Sequence, residues 1–135
     1  MKYIHVIRNG IDMAFSENQN QMIFWSKYYF NKNLKVSPKN SLKYWCKVQK
    51  DLIENTKLMQ EDFYFLNFDK FCLNPSNGMK KLAEFLDIKM TSQQTEYLLS
   101  LVKPPKSIGR YKHQDLSVFN KDDIAYVEQL GFSIV

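Results

Sequence analysis

Tyr3-Ile4-His5-Val6-Ile7-Arg8-Asn9-Gly10-Ile11-Asp12-Met13-Ala14-Phe15-Ser16 is the stretch from which the fold is read. Tyr3–Ile7 is rich in β-branched and aromatic residues, as in a strand buried on both faces of a parallel sheet. Arg8 stands at the strand exit, Asn9-Gly10 signals a turn, and Ile11–Ala14 starts a helix. Ser16 follows Asp12 by four residues, one helical turn further along the same face. A strand that turns into a helix N-terminus is an anion site, because the first helical N–H groups lack partners and the helix dipole favours negative charge. A guanidinium at the strand exit adds a planar fork for phosphate oxygens. The Ser16 hydroxyl adds one more donor.

Downstream, the helix begun near Ile11 is expected to reach about Asn33, through a polar middle at Glu17–Gln21. Met22, Ile23, Trp25, Tyr29 and Phe30 follow at helical intervals, an aromatic density expected of a core or a partner-facing surface, with packing favoured. A second helix is expected over Ser41–Met59, with Leu42, Trp45, Cys46, Gln49, Leu52, Ile53 and Thr56 on one stripe. Its lysines lie off that stripe, as a solvated face or as a surface for a polyanion. Phe63–Phe68 reads as the second strand. Asn74 with Pro75 opens a further helix, Thr91 and Gln94 form a capping box, and Pro104-Pro105 stops the helix that follows. Asn120 caps the last helix, Gly131 ends it, and Phe132–Val135 is an apolar tail expected to fold back.

The motif Arg8…Ser16, with Asp12 between, resembles the 3′-phosphate-binding motif of sulfotransferases that use 3′-phosphoadenosine 5′-phosphosulfate (PAPS). Two later stretches extend the resemblance. Phe68-Asp69-Lys70-Phe71 stands where the family has Tyr-Glu-Asp-Leu. Pro75 keeps the spacing, and Ala83-Glu84-Phe85-Leu86-Asp87 stands where the family helix ends in Phe-Leu-Gly. Lys106-Ser107-Ile108-Gly109-Arg110-Tyr111-Lys112 is similar to the late glycine-containing basic loop that folds over the nucleotide. The departures are Phe68 for the tyrosine, Lys70 for an acid, and Pro104-Pro105-Lys106 where cytosolic relatives have Arg-Lys-Gly.

The resemblance implies an α/β, P-loop-like fold with a truncated parallel sheet, mostly helical with about two strands, as a single domain over residues 1–135. It implies PAPS as co-substrate and transfer of a sulfuryl group to an acceptor hydroxyl or amine. Nucleotide contacts are expected from Arg8, Ser16, Phe68, Lys106, Ser107, Gly109 and Arg110. Phe24, Trp25 and Tyr28 fall on what is the acceptor side in the family. The chain corresponds to the C-terminal half or so of a family member. The phosphosulfate loop and the catalytic base would lie upstream of Met1, so the chain is expected not to be a complete enzyme and no catalytic residue is assigned. The alternative is a non-catalytic nucleotide- or polyanion-binding or assembly module derived from that fold.

Composition sets the remaining bounds. The 135 residues suffice for one core, and 19 basic against 14 acidic side chains give a net charge of +5, which favours anionic partners. No recognised nucleic-acid module accompanies the charge, so a nucleic-acid partner is not expected. No window approaches the roughly eighteen apolar residues of a membrane span. Cys46 and Cys72 form neither a CxxC pair nor a disulfide framework, which suggests no metal and a reducing, cytoplasmic setting. A two-stranded sheet has open edges, and self-association into a homo-oligomer is one way to cover them.

Overall fold

The computed structural model describes residues 1–134. Val135, part of the expected apolar tail, lies outside the described residues. The fold is mostly helical, with one two-stranded parallel sheet, the α/β class expected from the sequence. The chain forms two compact units. The first contains Met1–Arg8 and Met59–Ile108; the second contains Asn9–Leu58 and the chain from Gly109 onward.

In the first unit β1 (Tyr3–Ile7) pairs with β2 (Phe63–Asn67). The register sets Tyr3 opposite Phe63 and His5 opposite Phe65. Their rings meet at centroid distances of 5.8 and 5.6 Å, so same-face aromatic pairs fix the register. β1 is not buried on both faces: Val6 is 53% exposed and only Ile7 is fully buried. A two-stranded sheet cannot cover both faces of either strand. β2 passes directly into α4 (Phe68–Leu73), where the Asn67 side chain caps the first turn by accepting from the Lys70 N–H at 3.0 Å. Phe68 is therefore helical rather than the end of the strand. α5 (Pro75–Leu86) follows with Pro75 in its first turn, and Asn74 holds the N-cap position without a side-chain bond. α6 (Ser92–Leu101) starts at the expected capping box: Thr91 Oγ1 accepts from the Gln94 N–H, and Gln94 Oε1 accepts from the Thr91 N–H.

In the second unit the single helix expected from Ile11 to Asn33 is two helices, α1 (Gly10–Ala14) and α2 (Asn20–Phe30). The break has a local cause. Gln19 Nε2 donates to the carbonyls of Met13 and Ser16, and Asn18 Oδ1 accepts from the Asn20 N–H. Side chains thus take backbone groups that a continuous helix would pair. α3 (Pro38–Thr56) begins at Ser37, whose hydroxyl accepts from the Asn40 N–H, with Pro38 at its first position. It buries Leu42, Cys46 and Gln49 of the expected stripe. α7 (Lys121–Gln129) packs on α3 through Val127, which is fully buried. Phe132 is buried edge-on to Trp45, so this part of the tail does fold back.

α1 reaches α3 because Gly10 has no side chain: a Cβ there would lie 2.6 Å from the Trp45 ring. Gly10→Ala gains up to about 1 kcal/mol of helix propensity, but overpacking against a rigid indole costs about 1–3 kcal/mol. The clash wins. Urea unfolding of Gly10→Ala should show a lowered midpoint with an unchanged slope.

Candidate functional site

β1 ends by delivering Arg8 to a cluster within the first unit. Its Nε donates to Asp69 Oδ1 at 3.3 Å and its Nη2 to Ser107 Oγ at 3.0 Å. The guanidinium carbon stands 5.7 Å from the centroid of the Phe68 ring. The Arg8 side chain is 27% exposed, and that of Asp69 only 8%. The sequence builds this locally: the Asn67 cap turns β2 into α4, which puts Phe68 and Asp69 in the first helical turn. A carboxylate is favoured there by the helix dipole. Two of the five guanidinium N–H donors are engaged by Asp69 and Ser107. With the Arg8 side chain partly exposed, the arrangement can meet an anion beside an aromatic plane.

Of the residues singled out by sequence, Arg8, Phe68 and Ser107 come together in this cluster, and Lys106 is exposed beside Ser107 in the chain. Ser16, Gly109 and Arg110 belong to the second unit. Ser16 lies past the end of α1, where its N–H donates to the Met13 carbonyl at 3.1 Å; it does not continue the α1 face. Gly109 and Arg110 gather around Asp12. The buried Asp12 carboxylate accepts from the Gly109 N–H at 2.8 Å through Oδ2 and from the Tyr111 N–H at 2.9 Å through Oδ1. Its backbone carbonyl accepts from Arg110 Nη1 at 3.5 Å. Gly109 adopts φ 80°, where a side chain would be strained. Asp69 was absent from the residues assigned a binding role. Its position in the first turn after a strand was the available signal. Phe24, Trp25 and Tyr28 do not pack as expected: they are 66%, 54% and 67% exposed.

Two grooves mark the first unit away from Arg8. One of about 940 Å³ runs along α5 toward α6 and is lined by Asn77, Lys80, Glu84, Lys89 and Thr95. Another, about 440 Å³, follows the β2 edge, where Asn67 Nδ2 is buried without a hydrogen-bond partner. Among the described residues, no three His, Cys, Asp or Glu side chains are grouped so as to hold a metal ion. Burial, then the nearby Asp123 charge, push the Cys46 thiol up to about 12. Burial, then Asp69, raise that of Cys72 as well.

A parallel strand pair delivering an arginine to a helix-borne carboxylate, a hydroxyl and an aromatic ring defines an α/β protein with a cationic site at a strand end. The family model described as "Sulfotransferase family" matches residues 1–92, and the chain belongs to that family. The match spans the arginine, both strands, α4 and α5. No curated protein and no solved structure matches the chain.

Asp12→Ala strands two backbone donors, one of them buried. Unfolding free energy should fall by about 2 kcal/mol or more, with faster amide exchange at Gly109 and Tyr111. Unchanged exchange there would mean that the carboxylate does not hold this loop. Cys46 should resist alkylation in the native protein at pH 8 and react once unfolded, because the thiolate is the nucleophile. The sign of the linked stability follows. With the folded value raised from 9.0 to about 12, the contribution is present below pH 9. It is lost as pH rises toward 12, since the unfolded thiol ionises first. Cys46→Ala should flatten that alkaline decline.

Proposed function

We propose that the chain carries the 3′-phosphoadenosine-binding part of a sulfotransferase that takes a sulfuryl group from PAPS to a hydroxyl or amine of an acceptor. The observation that carries this reading is Arg8 at the end of β1, with the Ser107 hydroxyl beside it and the Phe68 ring within cation–π distance. The residues suit the nucleotide. A guanidinium and a hydroxyl donate to phosphate oxygens, and an aromatic face stacks on a purine. Lys106 adds positive charge next to Ser107. Asp69 orients the guanidinium through Nε and Ser107 through Nη2. Ser16 enters by its spacing from Arg8, and Gly109 and Arg110 by the late-loop resemblance. PAPS supplies the sulfuryl group; the part of this chain is to hold the nucleotide by its 3′-phosphate.

The ion pair with Asp69 decides how Arg8 is tested. Removing one partner of a largely buried pair leaves the other charge unpaired and destabilises the fold. Arg8→Lys keeps the charge for Asp69 but loses the fork. In calorimetric titration, 3′-phosphoadenosine 5′-phosphate should bind the native chain more tightly than adenosine 5′-monophosphate. Arg8→Lys should weaken the first by about tenfold or more and leave the second nearly unchanged. Equal affinity of the native chain for the two nucleotides, or of both proteins for the first, would overturn the assignment.

A further inference from the structure

α2 breaks the usual rule for a surface helix. Met22 and Ser26, one turn apart, are buried, and Tyr29 meets Tyr44 of α3 edge-on at 5.7 Å. The opposite face should then be polar. Instead it carries Phe24 and Tyr28, also one turn apart and about two-thirds exposed, with Trp25 (54%) and Ile23 (45%) exposed on the two flanks. Trp25 and Tyr28 touch at a centroid distance of 5.4 Å, forming a continuous aromatic surface. Gln21 and Lys27 are exposed among these rings, so the outer face is amphipathic, with large apolar area where a surface helix is ordinarily polar.

The charge around it is one-sided. Between Glu17 and Asp51 the sequence holds seven lysines and no acidic residue. Lys27, Lys32, Lys35 and Lys39 are exposed, and the Lys27 ammonium stands 5.5 Å from the Tyr28 ring centroid. We propose that α2 and the loop after it form an interfacial docking surface for an anionic lipid bilayer. Phe24, Trp25, Tyr28 and Ile23 enter the headgroup–acyl boundary, and the lysines meet the lipid phosphates.

Four observations select this occupant. With eleven residues, α2 lies in the interface rather than across it, a span needing about twenty. Trp and Tyr suit the boundary because their apolar bodies enter it while their polar tips stay wet. A second copy of the same face is disfavoured, because a two-fold contact would set this acid-free lysine cluster against itself. Exposed aliphatic Ile23 and, in the following loop, Val36 (58%) gain from an acyl layer and gain little from a stack of bases. The surface is independent of Arg8, so it stands or falls apart from nucleotide binding.

The test is co-sedimentation of the full chain with vesicles of phosphatidylcholine alone or with about one-third phosphatidylglycerol, with brominated acyl chains to read tryptophan depth. The anionic vesicles should bind about tenfold or more tightly than the neutral ones and lose binding as salt rises, since salt screens the attraction of basic residues to anionic headgroups. Brominated acyl chains should quench the fluorescence of the native chain, and Phe24→Ser/Trp25→Ser/Tyr28→Ser should weaken vesicle binding at least tenfold, with an unchanged circular dichroism spectrum. Lys32→Glu/Lys35→Glu should remove the preference for the anionic lipid. No binding to anionic vesicles, or undiminished binding by the triple variant, overturns the proposal. So does a dimer in solution that the triple variant disperses, or binding to a soluble polyanion that displaces the vesicles and is equally lost in the triple variant.

Discussion

The second unit depends on one buried carboxylate. Asp12 sits in α1, a helix of five residues, far too short to persist on its own. Burying its charge is costly unless hydrogen bonds replace the lost water, and the N–H groups of Gly109 and Tyr111 do so. The constraint works in both directions. α1 is held by Ile11 and Ala14 in the core and by the approach of Gly10 to Trp45, so the loop at Gly109–Tyr111 inherits its conformation from α3 through α1. Tyr111 passes the constraint on, its hydroxyl donating to the Ser133 carbonyl at 3.0 Å. Phe15 against Phe119 adds an edge-on ring contact at 5.4 Å. A late segment with little regular structure is fixed by residues that precede it by almost a hundred positions.

The first unit uses charge differently. In the Arg8–Asp69 pair the arginine is partly exposed and the carboxylate nearly buried. Desolvation offsets much of the attraction in such a pair, so its main effect is geometric. Asp69 takes Nε and Ser107 takes Nη2, which leaves a long, flexible side chain with one orientation against Phe68. Pre-ordering of this kind lowers the entropy lost when an anion binds. The cluster is thus made of a strand end, a helix start and a loop, held together by the ion pair and the Ser107 hydrogen bond.

What was legible in the sequence was what local chemistry decides. The alternation-free apolar runs gave both strands, the stripe from Leu42 to Thr56 gave α3, and Thr91 with Gln94 gave the start of α6. Arg8 could be placed because a strand followed by Asn-Gly leaves its next residue at an exit. The break after Ala14 was hidden, since it depends on Gln19 reaching back for the Met13 and Ser16 carbonyls, which helical periodicity does not encode. The Asp69 contact was hidden for another reason. It joins residues 61 positions apart, and Ser107 lies 99 from Arg8; only the folded chain shows that one guanidinium serves both. Apolar periodicity over Met22–Phe30 marked that stretch as helical but not where its helix begins, and it reports spacing, not what covers each face.

The contrast between α2 and α3 shows why a net charge is a poor guide to where a partner binds. The lysines of α3 are largely used within their own unit: Lys47 pairs with Asp51 at 2.8 Å, Lys50 lies over Tyr126, and Lys43 over Phe30. Two of these ammonium groups lie over aromatic rings and one pairs with a carboxylate, so this basic face is a folding device as much as a surface. Acids follow from Asp51 onward and return the local balance toward neutrality. Around α2 and the loop after it Lys27, Lys32 and Lys35 stand exposed with no acid beside them in the sequence, in the same stretch whose outer face is aromatic; Lys103–Lys112 is a second basic stretch without acids. Charge without exposed apolar area would describe a solvated surface, and apolar area without charge would describe a missing core contact. The coincidence of the two in one segment gives that surface its chemical character.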